Sequence, residues 1–137
     1  MGVIHLDAGV VIALLDADDV HHDTATTSLT SYRVRGNRFA MSAVVFAEIL
    51  VQPYRMSPAT VQQITGLCVQ LPIEIVNLDQ AIADRAAEIR AQHSSLTLPD
   101  AIVIASAITC GAQELVTTDR KWPNADQLNY EGVVHQL

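Results

Sequence analysis

Aromatic residues make up only 4% of this 137-residue chain, which disfavours a platform on which nucleic-acid bases stack. Positive charge is also scarce. Eight Lys and Arg stand against fifteen Asp and Glu, for a formal net charge of −7. A protein that grips nucleic acid through a broad cationic face is usually basic. A coating module for DNA or RNA is therefore excluded, whereas an acidic cleft with small basic patches is not. There are two cysteines, Cys68 and Cys110, each alone in an apolar stretch. Without a Cys-x-x-Cys pair they are expected to be buried free thiols, neither a secreted disulfide framework nor a zinc site. No run is apolar and long enough to span a bilayer, and the first residues lack the order of a secretory leader. A soluble, cytoplasmic protein with no membrane association is the expectation. Glycine fingerprints of the P-loop or dinucleotide type are missing too.

What is present is a globular composition. Half the residues are hydrophobic and 17% are charged, far from the disordered class. The length suits one domain, residues 1–137, with one sizeable core. Short β-branched runs at Val3–Leu6, Phe39–Ser42, Ile73–Val76, Leu115–Thr118 and Val133–His135 are predicted strands, the last at an edge. Between them lie predicted helices over Ala8–Leu15, from an Asp19 cap to about Arg35, over Ala43–Val51 up to Pro53, and from the Ser57-Pro58 start signal to about Gln70. Two more follow, over Gln80–His93 behind an Asp79 cap and over Ala101–Cys110, begun by Pro99-Asp100 and closed by Gly111. Strands alternating with helices imply an α/β fold, a three-layer α/β/α domain with a short, parallel, doubly wound sheet. In such sheets ligands bind beyond the carboxyl ends of the strands, where the strand order reverses. Asp7 and Asp119 both follow strands.

Four acids stand out by their apolar surroundings: Asp7 after Val-Ile-His-Leu, Glu48 within Ala43–Val51, Asp100 before Ala-Ile-Val-Ile-Ala, and Asp119 after Leu-Val-Thr-Thr. A buried carboxylate without a partner is costly, and the few basic residues mostly lie elsewhere. A shared divalent cation would account for all four, and hard oxygen donors without His or Cys select Mg²⁺ or Mn²⁺. Each acid also has a plainer reading. Asp7 can cap the Ala8 helix, Asp100 can complement a helix dipole, Asp119 can close a turn, and Glu48 can face solvent. His21 and His22 are adjacent and point apart on a helix, so they do not chelate as an i,i+4 pair would. His5 is expected in the core or just behind the site. Arg33, Arg35 and Arg38, with Arg120-Lys121, are either solvated surface or local phosphate contacts.

Together these stretches resemble the PIN-domain family. Ile4-His-Leu-Asp7-Ala-Gly-Val-Val-Ile resembles its opening strand and helix, and Ser42-Ala-Val-Val-Phe-Ala-Glu48 its Ser-x5-Glu helix. Leu98-Pro-Asp100-Ala and Leu115-Val-Thr-Thr-Asp119-Arg-Lys-Trp122 are similar to its third and fourth acidic motifs. The size resembles that of the bacterial VapC toxin branch. The resemblance implies a Mg²⁺- or Mn²⁺-dependent endoribonuclease, usually dimeric, held inactive by a cognate VapB antitoxin. It implies Asp7, Glu48, Asp100 and Asp119 as metal-binding acids and Thr117 as a supporting hydroxyl. Where the family commonly carries Ser, Thr or Asn two residues after its first Asp, this chain has Gly9. That removes a polar group able to orient Asp7 or a water.

Other α/β enzymes fit less well. A haloacid-dehalogenase-like phosphatase needs a second Asp where Gly9 stands. A receiver domain needs a lysine after its last strand, and Lys121 sits directly beside Asp119. The alternative of a different class is a non-catalytic PIN-fold binding module acting through an antitoxin or RNA partner.

Overall fold

The computed structural model describes residues 2–137. Its elements are β1 (Val3–Leu6), α1 (Ala8–Leu15), α2 (His22–Val34), β2 (Arg38–Ser42), α3 (Ala43–Met56), α4 (Pro58–Gln70), β3 (Ile73–Val76), α5 (Gln80–Gln92), α6 (Leu98–Thr109), β4 (Glu114–Thr117) and β5 (Val133–Gln136). The strands form one sheet in the order β3-β2-β1-β4-β5, and every neighbouring pair is parallel. In β1 the successive residues Ile4, His5 and Leu6 are all fully buried. Because successive side chains point to opposite faces, both faces of the central strand are covered by helices. This is the α/β architecture the sequence implies.

From β1 the chain steps outward to β2 and β3, then returns to the other side of β1 for β4. The direction of winding therefore reverses between β1 and β4, which opens a crevice beyond their carboxyl ends. The register sets His5 opposite both Ala40 and Leu115. Asp7 and Thr117 thus emerge side by side at that edge, and the Asp7 N–H donates to the Val116 carbonyl at 3.0 Å.

Local chemistry accounts for most helix ends. Asp79 caps α5, accepting from the Ile82 N–H at 2.9 Å, and Ser57 caps α4, with Pro58 at its first turn. Three boundaries differ from expectation. Asp19 does not cap α2; its carboxylate accepts from the His21 N–H at 2.8 Å, closing a turn before the helix begins. Helix α3 runs through Pro53 to Met56. The proline removes one hydrogen bond near the helix end, while the residue itself is buried. Helix α6 begins at Leu98, because Thr97 supplies the cap, accepting from the Asp100 N–H at 3.3 Å.

At the other end of α6 the Gly111 N–H donates to the Ile108 carbonyl and the Ala112 N–H to the Ala107 carbonyl. That pair of bonds needs a left-handed residue between them, and Gly111 has φ +67°. No atom crowds the space where its side chain would be. Gly111→Ala should therefore destabilise through backbone strain alone, by about 1 kcal/mol. Chemical denaturation would measure it, and an unchanged midpoint would refute the account. The same turn carries Cys110 to the surface, so only Cys68 is the buried thiol the sequence led us to expect. Among the described residues no helix is long and apolar enough to cross a membrane.

Candidate active site

Asp7 is the residue that the fold holds most tightly at the crevice. It ends β1 and caps α1, with one carboxylate oxygen accepting from the Ala8 N–H at 2.8 Å. The other oxygen accepts from the Thr117 hydroxyl, also at 2.8 Å. Both Asp7 and Thr117 are buried. Burial pushes the Asp7 carboxyl up from 3.8 to about 6, against the two hydrogen bonds, and the charges of Asp100 and Glu48 push it the same way. Glu48, on the exposed side of α3, is raised by desolvation and then by Asp100. Three acids from three separate elements therefore lie within electrostatic reach of one another. The ion pair of Arg85 with Glu88 and the contact of His135 with Glu114 lie elsewhere.

Asp119 is linked differently. Its N–H donates to the Thr117 hydroxyl oxygen at 3.0 Å, which joins it to Asp7 through one shared group. Its own carboxylate accepts from the Lys121 N–H at 2.8 Å and closes a turn. The structure thus brings together Asp7, Thr117, Glu48 and Asp100, and places Asp119 beside them with its carboxylate engaged in that turn.

The donors are oxygens, anionic and without a basic partner, a chemistry that fits a hard divalent ion. Among the described residues no three His, Cys, Asp or Glu groups are close enough to hold one. Holding an ion would require the carboxylates to draw together. Exposed Glu48 and half-buried Asp100 have that freedom, while Asp7 is held on both oxygens.

A family model for the PIN domain matches residues 4–128. The chain belongs to the PIN domain family. Comparison with curated proteins gave no match. Among solved structures, this PIN domain is similar to a toxin–antitoxin complex from Klebsiella pneumoniae, with TM-score 0.69, 25% identity, and 86% of this chain and 88% of that one covered. It is also similar to VapBC2 from Rickettsia felis bound to a DNA fragment from their promoter, with TM-score 0.74, 16% identity and 98% of each chain covered. A third likeness is to VapC20 from Mycobacterium tuberculosis, a sarcin–ricin loop cleaving toxin, with TM-score 0.71, 19% identity, and 86% and 91% covered. The last two likenesses show the fold.

Of the remaining sequence candidates in the PIN domain, His5, His22 and the Arg33–Arg38 group fall away from the crevice or take structural roles. His5 is fully buried, burial lowers its ionisation to about 4, and neither ring nitrogen has a partner. It is a core residue, as expected. The His22 Nδ1 lies 2.7 Å from the Ala13 carbonyl and ties α2 to α1. Arg38 opens β2, and Arg33 lines a cleft with it. This places the densest basic group at the end of the sheet away from Asp7. Arg120 and Lys121 are exposed and directly follow Asp119, so they are the basic pair at the acid end. Nothing in the residue order marks Thr118, whose relation to Gly9 requires the fold.

Proposed function

We propose that this PIN domain is a Mg²⁺- or Mn²⁺-dependent endoribonuclease, the toxin of a toxin–antitoxin pair, hydrolysing RNA phosphodiester bonds at the Asp7 crevice. The observation that carries this reading is the uncompensated gathering of Asp7, Asp100 and Glu48 at the switch point of the sheet, with Asp7 raised to about 6. The likeness to a Klebsiella pneumoniae toxin–antitoxin complex and to a toxin described as cleaving the sarcin–ricin loop supports it.

In this reading Asp7 and Asp100 hold the ion, Asp119 serves that site or a second one, and Thr117 keeps the Asp7 carboxylate in a fixed orientation. When bound, a divalent ion supplies positive charge against the charge developing on the phosphate and makes nearby water more acidic. Glu48, the most exposed of the acids, orients or deprotonates the attacking water. Arg120 and Lys121 offer contacts to flanking phosphates, which position RNA without reading its sequence. A VapB-like antitoxin would block the crevice, and a homodimer is the expected assembly. A cytoplasmic setting suits two unpaired thiols.

A second reading is a non-catalytic PIN-fold binding module. It is favoured by the spacing of the acids, no three of which are close enough to hold an ion. Cleavage of RNA by highly purified protein decides between the two. Activity should vanish in chelator and return with Mn²⁺ or Mg²⁺. RNA left intact at saturating metal, by a preparation that still folds, would favour the binding module.

A further inference from the structure

Gly9 is in the first turn of α1, two residues beyond Asp7. A Cβ built there would overlap the Thr118 hydroxyl oxygen, with the Thr118 Cβ next at 3.5 Å and its methyl at 3.7 Å. The hydroxyl of Thr118 therefore occupies the space that a side chain at position 9 would take. Thr118 lies between Thr117, which donates to Asp7, and Asp119, whose N–H donates to Thr117. Thr117 spends its hydroxyl on those two neighbours. Thr118 is half-buried, so its side chain keeps access to solvent, and its hydroxyl lies against Gly9, two residues from Asp7.

We propose that Thr118 is a positioning residue: the absence of a side chain at Gly9 admits its hydroxyl to the crevice, where it orients solvent beside Asp7 for attack on RNA. The inference rests on the ribonuclease reading. A threonine hydroxyl both donates and accepts, so it can fix a water between itself and a carboxylate without adding charge to an already crowded acidic site. Glycine at 9 and threonine at 118 are thus one device. A side chain at 9 and the Thr118 hydroxyl in its present rotamer exclude each other, whereas a hydroxyl from either position can fill the same space.

The test is a double-mutant cycle read by melting and by RNA cleavage. Thr118→Val keeps the shape and removes the hydroxyl; kcat should fall about tenfold with KM unchanged, the size expected for one lost hydrogen bond. Thr118→Ser should restore most of the rate. Gly9→Ser alone should lower the melting temperature by about 4 °C, because its Cβ meets Thr118. Gly9→Ser with Thr118→Ala removes the collision and supplies a hydroxyl from the other side, so melting temperature and kcat should both recover relative to the single variants. If Gly9→Ser lowers the melting temperature equally with Thr or Ala at 118, the shared space is refuted, whatever the activity. If the wild type cleaves RNA and Thr118→Val matches it, the positioning role is refuted alone. A folded wild type that cleaves no RNA in Mn²⁺ overturns the ribonuclease reading and this role with it.

Discussion

Asp7→Asn is expected to act in opposite directions on activity and stability. RNA cleavage should fall by at least about a hundredfold, roughly 2.7 kcal/mol of barrier, because the substitution removes the best-held anionic donor of the crevice. Stability without metal at pH 7 should rise. The Asp7 carboxyl ionises in the folded protein at about 6, above its ordinary 3.8, so folding favours its protonated form. Its contribution to stability is complete below the ordinary value and is lost as pH rises through about 6. At neutral pH the ionised group costs up to roughly 3 kcal/mol. Asparagine keeps the shape and can still accept from the Ala8 N–H, but it forces the Thr117 hydroxyl to find another acceptor. A gain of about 1–3 kcal/mol at pH 7, shrinking to nothing by about pH 4, is the expected balance. Urea titrations of both proteins in chelator at the two pH values would show it. A variant that is less stable at pH 7 would mean that the hydrogen bonds outweigh desolvation at this residue.

Divalent metal should stabilise the wild type by an amount comparable to that gain. At a free Mn²⁺ concentration of a hundred times Kd, linkage predicts about 2.7 kcal/mol. The effect should weaken as pH falls below about 6, the value at which Asp7 takes up its proton, since the proton and the ion compete for one carboxylate. Asp100→Asn should lose most of the metal response, because Asp100 is the one charge that adds to desolvation at both Asp7 and Glu48. His22→Ala should keep it, its ring being spent on the Ala13 carbonyl. Coincident melting curves of the wild type in chelator and in excess Mn²⁺ at pH 7 would rule out a metal site at this crevice.

How far the sequence reaches depends on the range of the interaction. The Asp79 cap, the Ser57-Pro58 start and the Gly111 stop involve residues within one helical turn, and each was legible. Pro53 misled because its penalty is local, while the burial that offsets it depends on how the helix packs. Cys110 misled for a related reason. An apolar sequence context does not say where the helix turns outward, and the Gly111 turn lifts that residue to the surface. Among the acids, position after a strand marked Asp7, but nothing in the spacing distinguished a carboxylate held on both oxygens from one closing its own turn, as at Asp119.

Residue order by itself determined the alternation of strands and helices, hence a parallel sheet covered on both faces, and the four acids in apolar settings that belong to this PIN domain. Those properties follow from periodicity and from the cost of burying charge, both readable along the chain. Only the tertiary structure decided which groups meet. The return of the chain from β3 to β4 sets Thr117 against Asp7, 110 positions apart, and puts Thr118 in the space Gly9 leaves open. It also leaves the Arg33–Arg38 group at the end of the sheet away from the acids. Such contacts are set by strand order and register, which depend on how the whole core packs, so no local pattern carries them.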